Sequence, residues 1–67
     1  MTERELREAL MLAWMHTDKA YIALAKAGIA AHEAGNREAQ NSLETISRHV
    51  WTARTELTTA MNKIQQL

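Results

Sequence analysis

The amino-acid sequence predicts an all-α protein, an antiparallel two-helix hairpin of coiled-coil type that a second copy completes into a four-helix bundle. Three observations lead there. Twelve alanines and seven leucines stand against two glycines and no proline, a composition that favours helix nearly everywhere. A single break, Gly35-Asn36, interrupts it. On both sides of that break, small and apolar residues recur at alternating steps of four and three.

The first helix is expected over about 3–34. Thr2 stands three residues before Glu5, the spacing of a capping box, in which the threonine hydroxyl and the glutamate carboxylate satisfy each other's free backbone amides. Gly35 takes the left-handed conformation that ends a helix, and Asn36 can cap the next one by accepting from its amides. The turn is therefore 35–36 and the second helix about 37–66, with Glu38 near its positive end and Lys63 near its negative one. Each rod would be ~45–50 Å long at ~1.5 Å per residue. The whole chain forms one domain.

The predicted seam on helix one is Leu6, Leu10, Ala13, Thr17, Ala20, Leu24, Ala27, Ala31 and Ala34. On helix two it is Ala39, Leu43, Ile46, Val50, Ala53, Leu57, Ala60, Ile64 and Leu67. Thr17 is the only polar member, as a heptad seam requires. With the turn at Gly35, residues whose numbers sum to about 71 face each other, which sets Ala27 against Leu43 and Thr17 against Ala53 or Arg54. Large side chains then oppose small ones. Charges fall into ordinary solvated contacts, with His16 near Glu56 across the hairpin and Glu3–Arg7 and Glu44–Arg48 spaced by four within a helix.

Helix one has more apolar surface than one neighbour can cover. Met15, Ile22 and Ile29 recur every seven residues away from the seam, with Met11 and Ala25 beside them. Trp14 and Tyr21 link the two stripes, and Asp18 is the charge within this second surface. A helix apolar over more than half its circumference is normally buried on two sides. One reading makes these residues a homodimer interface, since two-fold dimers are the commonest assemblies; the other makes them a docking surface for a different protein. Sixty-seven residues form a marginal core alone.

Helix two is polar outside its seam except at Met61 and Trp51. Around Trp51 lie Arg48, Thr52, Arg54, Thr55 and Thr58, hydroxyls and two guanidiniums with few lysines or glutamates. Such a surface is cheaper to desolvate than a Lys/Glu face, and Trp with Arg is enriched at binding hot spots. These six residues are the candidate partner-binding set. Closing the end of a dimer core is the other role open to Trp51.

Several function classes are disfavoured. No cysteine is present, no glycine-rich phosphate loop, and no histidine-glutamate metal motif, and His16, His32 and His49 do not fall on one face. A non-catalytic protein without cofactor or metal is expected. Eight basic residues balance eight acidic ones and both kinds are scattered, which argues against direct nucleic-acid binding. The longest apolar run, Ala9 to Met15, is too short to span a bilayer, so the protein reads as cytoplasmic and soluble, with no membrane partner.

Three segments carry a family resemblance. ELREALMLAW from Glu5 to Trp14, AKAGIAAHEAG before the turn and WTARTELTTAM from Trp51 resemble the small helical quorum-sensing anti-activators of Mu-like Pseudomonas phages. The resemblance spans nearly the whole chain and assigns no individual binding residue. It implies a dimeric early phage protein, working in the host cytoplasm, that binds the DNA-binding domain of a LuxR-type transcription activator, with a type IV pilus assembly ATPase as a second target. The segment AGNREAQNSLETI also resembles the turn of a tetratricopeptide hairpin, but there is no repeat and no terminal proline. A structural or assembly component is the expectation from a different class.

Overall fold

The computed structural model describes residues 1–65. Two helices make up the fold, α1 over Glu3–Glu33 and α2 over Arg37–Gln65. They lie against each other in a rod of 49 × 14 × 14 Å, the length expected of helices of this size. Leu67 and the expected end of the second helix at residue 66 lie outside the described residues.

Local chemistry sets both ends of α1 and the start of α2. The Glu5 amide donates to Thr2 Oγ1 at 3.1 Å and the Thr2 amide reaches back to Glu5 Oε1 at 3.4 Å, completing the capping box. At the other end Gly35 adopts φ 68°, its amide donates to the His32 carbonyl, and the Asn36 amide donates to the Ala31 carbonyl, both at 3.0 Å. These two bonds form a Schellman motif, which satisfies carbonyls that the helix end leaves free. Asn36 then caps α2, its Oδ1 accepting from the Ala39 amide at 3.0 Å. One glycine and one asparagine thus reverse the chain direction.

The register across the hairpin agrees with the expected one to within a residue. Trp14 meets Thr58, Asp18 meets Arg54, and Tyr21 meets Trp51. The rotation of the helices about their own axes differs from expectation. Of the predicted seam, the column Leu10, Thr17, Leu24 and Ala31 on α1 and the column Leu43, Val50, Leu57 and Ile64 on α2 are half-buried. The second predicted column is partly enclosed: Ala13, Ala27, Ala39 and Ala60 are half-buried, whereas Leu6, Ala20, Ala34, Ile46 and Ala53 are exposed. Beside it Trp14, Tyr21 and Gly28 on α1 and Ser47, Arg54 and Met61 on α2 are half-buried as well. The physical reason is area: an alanine column offers one methyl every two turns, whereas the aromatic column offers two large rings that find partners only if the helices roll toward them.

Three charge expectations also change. Among the described residues the ion pairs within 4 Å are Arg4–Glu8 and Arg54–Asp18, so Glu3–Arg7, Glu44–Arg48 and His16–Glu56 are not formed. Arg4–Glu8 is exposed on both sides and contributes little.

No described residue is fully buried. The single chain has a half-buried seam and no enclosed interior, and large apolar side chains, Ile29 at 60% and Leu12 at 54% among them, face solvent.

Candidate protein-binding surface

The functional side chains converge on one side of the rod, around Arg54. Its Nε donates to Asp18 Oδ1 at 2.9 Å across the hairpin, with the two side chains 26% and 30% exposed. Its guanidinium carbon lies 4.7 Å from the centroid of the Trp14 ring and 5.1 Å from that of Trp51. One cation is therefore held by a carboxylate and two indole rings at once. A planar, weakly hydrated guanidinium suits this position, and a lysine ammonium would not stack in the same way. The Tyr21 and Trp51 rings are 5.2 Å apart and tilted by 50°, within the range of favourable aromatic packing. Trp14 Nε1 donates to Thr58 Oγ1 at 2.9 Å, which leaves the indole with its polar group satisfied.

The threonines around the cluster share one arrangement. Thr45, Thr52, Thr55, Thr58 and Thr59, all the threonines of α2, donate their hydroxyls to the backbone carbonyl four residues earlier, at 3.0 to 3.2 Å. With the donor used internally, each hydroxyl has only acceptor capacity left to offer a partner. The surface around Trp51 is consequently less polar than its composition suggests.

The two candidate sets meet on one side, the flank to which the sequence pattern assigns Trp14, Tyr21 and Met61 with Trp51 just outside it. Met11, Met15, Ile22, Ala25 and Ile29 are exposed on α1, as expected of an outer stripe. Trp14 and Tyr21, which link the two stripes, and Asp18 contact α2 of their own chain and are half-buried. Met11 and Met15 line a groove with Met61 of α2; Ala25 and Ile29 line another with Tyr21 and Ser47. In the partner-binding set Arg48, Thr52, Thr55 and Thr58 are exposed, and Trp51 is 49% exposed. The Arg54 guanidinium is half-buried and engaged within the chain, so Arg54 organises this surface.

Spacing along either helix does not single out the Asp18–Arg54 pair, although the register contains it, since opposed residues sum to 72. A charge on the outer stripe and a charge in a hydroxyl-rich patch each had a plausible solvated role. Only the roll of the helices makes them neighbours.

On the opposite side His16 and His49 line one groove with Ala20, Ile46 and Ala53, while His32 lines a groove on the aromatic side. The three histidines thus do not share one face, although His16 and His49 lie together. Among the described residues no group of three or more potential ligands is placed to hold a metal ion, and no helix is long and apolar enough to cross a membrane. Searches of protein-family models, of curated proteins and of solved structures find no match to this chain.

Proposed function

We propose that this chain is a small non-catalytic inhibitor that acts by occluding a surface on another protein, and that its target is a bacterial transcription activator of LuxR type whose DNA binding it blocks. The observation that carries this reading is the shelf on α2: a half-exposed tryptophan set against Tyr21 and Arg54, flanked by Arg48 and by threonines whose hydroxyl donors are already used. Rigid aromatic area with little to desolvate is what hot spots are made of. The resemblance to phage-borne quorum-sensing anti-activators supports the class of target, and extends it to a type IV pilus assembly ATPase. The protein acts as a homodimer in the host cytoplasm, without contacting nucleic acid itself.

The test is a gel-shift assay with a purified LuxR-type activator and its operator. The wild-type chain at stoichiometric concentration abolishes the shifted band, and Trp51→Ala, retaining helicity and dimer, needs at least about tenfold more protein to do so. An operator complex indifferent to the chain would overturn the choice of target.

A second reading, a structural bundle with no inhibitory target, is favoured by the absence of any fully buried residue among the described residues of the single chain. Under it Trp51 serves assembly, and Trp51→Ala lowers thermal stability or dimerisation.

A further inference from the structure

Outside the hairpin seam α1 carries a second heptad column. Met11, Met15, Ile22, Ala25 and Ile29 follow one another with Asp18 between Met15 and Ile22, at alternating steps of four and three. Glu8 precedes the column and His32 closes it, each three residues on. The column is self-complementary about residue 20. Laid antiparallel on a copy of itself, each residue n meets residue 40 − n. Met11 then faces Ile29 of the copy, Met15 faces Ala25, and Ile22 faces Asp18, whose carboxylate is already occupied by Arg54. At both ends the polar groups are complementary, Arg7 meeting Glu33 as opposite charges and Glu8 meeting His32 as a hydrogen-bonding partner.

We infer that a second copy of this chain docks antiparallel along this column, α1 on α1, with its two-fold axis beside residue 20. The inference deepens the dimer included in the reading above and rests on that part of it. Three observations carry it. The grooves at the two ends of the face, one lined by Arg7, Glu8, Met11 and Met15 and the other by Ala25, Ile29, His32 and Glu33, exchange places under the two-fold. Neighbouring registers lose the match: a slip of one heptad in one direction sets Ile29 against Arg4, and in the other carries Met11 past the end of the helix. A parallel pairing stacks Arg7, Glu8 and Asp18 on their own copies, and like charges in register are repulsive.

The third observation is area. The chain exposes 5284 Å², whereas a globular monomer of its mass exposes ~4300 Å². The excess, roughly 1000 Å², is comparable to the ~800 Å² that each partner buries in a standard interface. One added helix face accounts for it.

The chain has no cysteine, so disulfide mapping starts from a clean background. Met11 and Ile29 lie ~27 Å apart along one helix at ~1.5 Å per residue, beyond any internal bridge. The Met11→Cys/Ile29→Cys double variant is expected to oxidise to a covalent dimer, while Met11→Cys alone and Ile29→Cys alone do not, because each cysteine lies about as far from its own copy. Mixing the two single variants restores the crosslink. Equal crosslinking of the single variants, no crosslinking of the double variant, or a wild-type chain sedimenting as a 7.6 kDa monomer at low micromolar concentration overturns the register. Should the cysteine variants fail to fold, charge exchange decides. Arg7→Glu and Glu33→Arg each weaken the dimer about tenfold, since every pair occurs twice, and the double exchange recovers to within about threefold of wild type; no recovery overturns the pairing. These readouts use the protein alone, so their failure is distinct from failure of the gel-shift test.

Discussion

The two sides of the hairpin are built from the same helices yet packed in opposite ways. On one side Trp14, Tyr21, Trp51, Arg54 and Asp18 contact one another across the seam through an ion pair, two cation–π contacts and a ring pair. On the other, Ala20, Ala53 and Ile46 are exposed along a groove between His16 and His49. The alanine side has the cleaner heptad and the aromatic side has the contacts. Regular spacing of apolar residues therefore identifies which surfaces can pack, while side-chain size decides which of them do.

Substitutions on the two sides should differ accordingly, with all melting points compared at one protein concentration because assembly shifts them. Trp14→Ala removes a half-buried ring, its hydrogen bond to Thr58 and one face of the Arg54 stack. We expect the largest loss there, about 2 kcal/mol, seen as a melting point lower by roughly 10 °C. A loss under about 0.5 kcal/mol would remove the basis for distinguishing the sides.

Arg54→Lys keeps a cation near Asp18 but cannot stack between two indoles, and should cost about 1 kcal/mol. The near-UV circular dichroism of Trp14 and Trp51 should fall with it, a signal that loss of the charge pair alone would leave in place. Asp18→Asn gives the converse, retaining the ring signal while sacrificing the ion pair. Additivity of the two substitutions in a double-mutant cycle would contradict a shared cluster.

The smallest effect belongs to the alanine side. Ala53→Leu adds an apolar side chain to an open groove, and thermal stability should change by no more than about 0.5 kcal/mol. Should it destabilise by much more, the groove is occupied in solution and the two sides are less different than they look.

How much of this was legible beforehand follows from the range of each interaction. Thr2, Glu5, Gly35 and Asn36 announce the helix ends because a cap bonds to residues within three to five positions of itself, so spacing along the chain is nearly the whole of its geometry. The cross-hairpin register follows for the same reason, since a tight turn at Gly35 leaves little freedom in which residues can face each other. The outer stripe of Met11, Met15, Ile22 and Ile29 is likewise a property of one helix. The contacts of Asp18 with Arg54 and of Trp14 with Thr58 belong to two helices at once, so spacing along either one does not specify them.

What the sequence determined by itself was the two helices, their caps, the turn and the antiparallel register, all consequences of contacts short in sequence or forced by a two-residue reversal. What only the tertiary structure decided was the roll of α1 against α2. Leu10, Leu24, Val50 and Leu57 sit at the seam under either roll, so their heptad cannot choose between the flanking columns. The choice falls to the rings of Trp14, Tyr21 and Trp51 and to the Asp18–Arg54 pair, whose contacts exist only once both helices are in place.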